Sequence, residues 1–217
     1  MDSEARIVSC IKASINDLGL PILSSAVIRD IIGLGLREAI NRLYPGSDED
    51  IHQRLAARYR HHFLGADHAS SALFPGVQPM LTTLHEQGYL LAVATGKGRH
   101  GLDHVLNDTG CKELFHTSRC ADETQSKPHP QMLLEIMEQL NVPASETLMI
   151  GDTEYDMQMA NNAGAAALAV SYGVHARERL LQCSPLGCLD DITGLPVWLS
   201  ARYSKVSNQQ TLIHNRN

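Results

Sequence analysis

The chain has 217 residues, 43% of them hydrophobic, and its 18 basic and 24 acidic side chains leave a formal charge of −6. That supplies ample core for one large domain, or for a core with a small inserted module. The basic residues are scattered rather than striped, which argues against a nucleic-acid groove, and no apolar run approaches the ~20 residues a bilayer span needs. Five cysteines, at positions 10, 111, 120, 183 and 188, form no CxxC pair and are odd in number. A reduced, cytoplasmic protein is expected, and nothing resembles a signal peptide.

From Glu4 to about Leu64 the pattern is helical, with no strand. Ile7, Val8, Ile11, Ile15 and Leu18 share one face, and Gly19 closes that helix. Ser24 to Ile32, Leu36 to Leu43 and Asp48 to Leu64 read as further helices, broken at Gly33-Leu34-Gly35 and Tyr44-Pro45-Gly46. Phe74-Pro75-Gly76 is a boundary, beyond which helices and apolar runs alternate. Strands are expected at Tyr89 to Ala94, His116 to Cys120, Thr147 to Ile150 and Ala165 to Val170, with helices between them. Such alternation implies a parallel sheet covered on both faces, with ligands at the carboxyl ends of its strands. The segment from Arg202 is polar and is expected to fray.

The polar residues fall at those strand ends. The third strand delivers Gly151-Asp152-Thr153-Glu154-Tyr155-Asp156, in which Asp152 and Asp156 lie one helical turn apart. Two carboxylates there suit Mg²⁺, but Thr153 with Asp156 is equally a capping-box start to a helix. The first strand ends in Thr95-Gly96, a hydroxyl and a backbone N–H that form an anion cradle or simply a turn. Lys127 is held extended by Pro128 and stands before a helix whose dipole it opposes, a placement that neutralising a phosphate would explain. Gly96, Gly98 and Gly101 also match G-x-G-x-x-G, with Asp122 about 20 residues on, so a dinucleotide-binding module is a remote alternative. His52, His61, His62 and His68 lack metal-motif spacing and are expected on solvated helix surface. No cysteine has an activating sequence context.

Strand–Thr95-Gly96, then Ser126-Lys127-Pro128, then strand–Gly151-Asp152-xxx-Asp156 resemble, in order and spacing, motifs II to IV of the haloacid dehalogenase-like phosphatase superfamily. The likeness covers about residues 1 to 200 and is closest to phosphoglycolate phosphatases. It implies a three-layer α/β fold with a Rossmann-like parallel sheet and an inserted α-helical cap. Residues 1–10 would begin the core, 11–75 form the cap, 76–201 the phosphatase core and 202–217 a polar tail. The implied activity is Mg²⁺-dependent hydrolysis of a small phosphorylated metabolite through an aspartyl-phosphate. Thr95 and Gly96 would hold phosphoryl oxygens, Lys127 would neutralise the transferring group, and Asp152 and Asp156 would serve the metal. No nucleic acid or membrane is implied. A true dehalogenase of the superfamily needs no metal, so the Gly151-Asp152 pattern favours a phosphatase.

The superfamily's first motif, a buried strand ending in Asp-x-Asp that carries nucleophile and general acid, has no counterpart. Met1-Asp2-Ser3-Glu4 aligns only with its tail, where Asp2 suits an N-cap. The central strand is therefore expected to be missing and the chain inert as it stands, through truncation or natural loss. A phosphosugar mutase and a phosphate-binding pseudoenzyme are the alternatives.

Overall fold

The computed structural model describes residues 1–65 and 72–202, so His68 and nearly all of the polar tail lie outside the described residues. The N-terminal part is helical, as its apolar spacing predicts: α1 (Glu4–Asp17), α2 (Ser25–Asp30), α3 (Leu36–Leu43) and α4 (Glu49–Gly65). Gly19 adopts the left-handed conformation (φ 61°) that lets Leu20 N–H bond back to the Ile15 carbonyl, terminating α1. Ile11 and Ile15 of α1, Ile28 of α2, Ile40 and Leu43 of α3, and Leu55 of α4 form one buried cluster. Burying each such side chain stabilises by about 1.5–3 kcal/mol, enough to hold helices too short to persist alone. A boundary after residue 10 falls inside α1, whose Ile7 and Val8 pack on this same cluster. Ser3 rather than Asp2 occupies the N-cap, and its side chain makes no capping bond.

The remainder alternates strand and helix. In order come α5 (Val77–Glu86), β1 (Ala92–Thr95), α6 (Arg99–Asp108), β2 (Thr117–Cys120), α7 (Gln131–Leu140), β3 (Leu148–Gly151), α8 (Glu154–Asn162) and β4 (Ala166–Val170). Two short elements lack any sequence signal, α9 (Arg177–Leu181) and β5 (Cys188–Leu189). β4 shows why three layers form. Ala167 and Ala169 pack with Met132 and Met137 of α7 and Met157 and Met159 of α8, while Leu168 and Val170 pack with Met80 and Leu84 of α5. Alternate side chains thus bury against helices on opposite faces.

All pairings are parallel, but the strands form two sheets, β1-β2 and β3-β4-β5. Among the described residues β1 and β3 each keep an edge without a strand partner and are only half-buried along their whole length, whereas β4 is buried from Ala167 onward. Val93 to Lys97 and Met149 to Thr153 line a single cavity of about 970 Å³. Unpaired strand edges expose backbone donors and acceptors that a continuous sheet would satisfy. The isolated monomer is therefore expected to melt below about 60 °C by circular dichroism. A cooperative transition well above that temperature would count against a costly open groove.

Candidate active site

Of the two readings of the Gly151–Asp156 segment, the capping box is formed, and it engages Asp156. Thr153 is the N-cap of α8, its Oγ1 accepting from Asp156 N–H at 3.3 Å, and Thr153 N–H donates back to Asp156 Oδ2 at 3.1 Å. The Thr153 hydroxyl donates to the same Oδ2 at 2.7 Å, and Lys127 Nζ donates to Oδ1 at 2.6 Å. The ion pair is buried, with side-chain exposures of 6% and 5%. Asp156 thus has both oxygens engaged by the protein.

Asp152 is different. Its Oδ2 accepts from Val174 N–H at 2.9 Å, and among the described residues no side chain donates to it. Burial, and then the nearby Asp156 charge, push its pKa up, with the Val174 N–H and the Lys127 charge pulling the other way. This carboxylate lines the cavity and could hold a cation. Two glycines make room for the pair: a Cβ at Gly151 would stand 2.3 Å from Asp156 Cβ, and one at Gly173 2.1 Å from Asp152 Oδ2. Among the described residues no three His, Cys, Asp or Glu side chains form a metal cluster. Mg²⁺ requires fewer, completing its shell with water and substrate phosphate.

The Thr95-Gly96 loop lines the same cavity. Thr95 Oγ1 accepts from Lys97 N–H at 3.1 Å, which fixes the turn and leaves the hydroxyl proton to donate. Gly96 N–H makes no hydrogen bond among the described residues, and a Cβ there would lie 2.5 Å from the Leu34 carbonyl oxygen. All five expected site residues therefore line one cavity, although Thr95 does not cap α6, whose N-cap is Gly98.

Several contributors had no usable sequence signal. Gly33-Leu34-Gly35, a helix break in the sequence, is the strap by which the helical module touches the core: Gly35 N–H donates to Ser126 Oγ at 2.6 Å, and Gly33 abuts Thr153. Tyr155 donates to the Asp30 carbonyl at 2.7 Å and accepts from Arg42. Arg179 bridges Asp30 and Glu154. Buried His175 donates its backbone N–H to the Asp152 carbonyl, and its Nδ1 accepts from Glu154 N–H. A Pro or Gly flag marks some of these positions, but only contact assigns them.

Other candidates resolve differently. His52 is buried, bonding Ser47 Oγ at 2.8 Å, rather than solvated as expected, and His62 pairs with Asp17. Both Asp122 oxygens accept from Arg99 N–H, at 3.0 and 3.1 Å, so an acid occupies the α6 N-terminus. A dinucleotide pyrophosphate would need that same position, and the repulsion overturns the glycine-fingerprint reading. Burial pushes the Cys120 thiol up to about 11, as an inert core cysteine requires.

The sequence profile described as haloacid dehalogenase-like hydrolase matches residues 1–170. A Dickeya dadantii protein named Probable phosphatase IndB is 35% identical over 88% of this chain and 84% of its own length. Vibrio parahaemolyticus phosphoglycolate phosphatase is 30% identical over 90% and 89%. Among solved structures, a hydrolase from Pseudomonas syringae superposes with a TM-score of 0.83 at 21% identity, covering 92% of this chain and 93% of that one. A Bacteroides vulgatus structure provisionally assigned as a beta-phosphoglucomutase gives 0.79 at 19%, covering 93% and 84%. Likenesses at such identities establish the fold.

Two outcomes follow from the carboxylates. The folded state holds the Asp152 proton more tightly than the unfolded chain, so this group's cost is absent at low pH and grows as pH rises from about 3.8 through the raised value. At pH 7 Mg²⁺ should raise Tm, whereas Asp152→Asn should raise the metal-free Tm, by about 2–4 °C per kcal/mol relieved, and abolish the Mg²⁺ response. An unaltered Mg²⁺ shift in that variant would remove Asp152 from the metal site. Lys127→Met strands a buried carboxylate and should cost about 3–5 kcal/mol in urea unfolding, with part recovered in Lys127→Met/Asp156→Asn.

Proposed function

The chain belongs to the haloacid dehalogenase-like hydrolase family and is of its phosphatase type, and on that premise we propose that it binds the phosphoryl group of a small phosphomonoester, phosphoglycolate-like in size, between β1 and β3. The observation that carries this reading is convergence on one cavity of a donor loop, a buried lysine and a carboxylate to which no side chain donates among the described residues. Thr95 Oγ1 and Gly96 N–H would donate to phosphoryl oxygens, and Lys127 would offer the protons that Asp156 leaves free. Asp156 positions that ammonium and, with both oxygens engaged by Lys127 and Thr153, would serve a metal only through water. Asp152 would ligate Mg²⁺ directly. The bound ion would supply Lewis-acid polarisation of a phosphoryl oxygen. The free thiols at all five cysteines support a reducing, cytoplasmic setting.

Hydrolysis through an aspartyl-phosphate needs an attacking carboxylate, and none of Thr95, Lys127, Asp152 or Asp156 is placed to provide it. That role would fall to a carboxylate on a strand lying in the groove between β1 and β3. The chain as it stands would then bind phosphate without turnover.

The test is to extend the N-terminus with an apolar strand ending in Asp-x-Asp and to follow phosphate release from p-nitrophenyl phosphate in Mg²⁺. The 217-residue chain should show background rates, the extended chain turnover, and Lys127→Met in the extended chain a loss of about 10²-fold or more. An extended chain that binds phosphate yet stays inert would identify a pseudoenzyme. Isomerisation of a sugar phosphate in place of phosphate release would identify a mutase.

A further inference from the structure

The loop after β4 holds Asp152 from two sides. Val174 N–H donates to its Oδ2 at 2.9 Å, and His175 N–H donates to its carbonyl at 3.1 Å. The His175 side chain reaches past Thr153, its Nδ1 accepting from Glu154 N–H at 3.0 Å. Glu154 opens α8, and its N–H is one of the helix-start donors that no carbonyl of the helix can satisfy. The Glu154 carboxylate is held in turn by Arg179 at 2.6 Å. Gly173 lets this loop come close, since a Cβ there would collide with the Asp152 carboxylate.

His175 is buried and lies edge-on to the Tyr155 ring, 5.4 Å between centroids. Because Nδ1 accepts, the neutral imidazole carries its proton on Nε2. That Nε2 is buried and has no hydrogen-bond partner among the described residues. A buried donor left unmatched is costly, and an apolar side chain filling the same space would avoid the cost. What an apolar side chain could not supply is an acceptor for Glu154 N–H. With His175 in place, consecutive loop residues grip the carboxylate, the carbonyl and the following helix start of one short segment, Asp152 to Glu154. His175 itself is not among the residues that line the cavity.

We propose that His175 is a positioning residue for the metal site: its Nδ1 fixes the start of α8 and thereby the aim of the Asp152 carboxylate into the cavity. The inference rests on the reading of Asp152 as a Mg²⁺ ligand and deepens it, because it assigns the support of that ligand to a side chain that touches neither metal nor substrate.

Titration of the 217-residue chain with Mn²⁺, which takes the same oxygen ligands as Mg²⁺, tests this by electron paramagnetic resonance of the free ion. Asp152→Asn gives the affinity left when the ligand itself is lost. His175→Asn, whose side-chain oxygen can take the place of Nδ1, should keep the Kd within about threefold of the unmodified chain. His175→Leu, of similar size but without an acceptor, should weaken binding about tenfold or more. His175→Gln, whose amide reaches toward the Nε2 position instead, should behave like His175→Leu, and it carries the comparison if His175→Leu does not fold. A purely structural role for the imidazole would lower Tm in the folded variants and leave their Mn²⁺ affinity unchanged. That result, or equal losses in His175→Asn and His175→Gln, overturns the role of His175 and leaves Asp152 standing as a ligand. Failure of the unmodified chain to bind Mn²⁺, or undiminished binding in Asp152→Asn, would take down the metal reading and, with it, the inference.

Discussion

The buried contact between Lys127 and Asp156 organises the rest of the site. It joins the loop before α7 to the first turn of α8, and neither partner is exposed enough for water to replace the other. A pair of this kind adds little net stability over well-packed apolar residues, but removing one partner leaves an uncompensated charge. Its value is therefore positional. With both Asp156 oxygens held by Lys127 and Thr153, the α8 N-terminus is fixed, and Asp152 is left as the carboxylate to which no side chain donates among the described residues.

From that fixed point the helical module is tied down. Tyr155 lies between Asp156 and the Asp30 carbonyl, Arg42 adds a contact to its hydroxyl, and Arg179 spans Asp30 and Glu154. Gly35 N–H on Ser126 makes a second attachment one residue from Lys127. The module carries its own apolar cluster, and these polar contacts join it to the core. Phe63 on α4 is thereby brought over Lys97.

The open groove follows from the same architecture. Helices bury both faces of β4, yet among the described residues β1 pairs only with β2 and β3 only with β4. Parallel sheets are stable when every strand but the outermost has two partners, so a break beside the site is a local weakness in the scaffold. It lies beside the cavity that the ends of β1 and β3 line.

Local pattern determined much of this protein. The spacing of Ile7, Ile11 and Ile15, the stop at Gly19, and the apolar runs before Thr95 and Gly151 each report on neighbours within a few residues, and the helices and four strands lie close to where that spacing puts them. The short α9 and β5 carry too few residues for a period to register. The ordered residues Thr95, Gly96, Lys127, Asp152 and Asp156 were likewise legible as a set, because each follows a strand or precedes a helix. Only the tertiary structure decided how they divide the work. Asp156 meets a lysine 29 positions away, Tyr155 a carbonyl 125 positions away, and Lys97 a phenyl ring on α4. Periodicity encodes which face a side chain takes on its own element, whereas hydrogen bonding and desolvation depend on what the fold sets against that face.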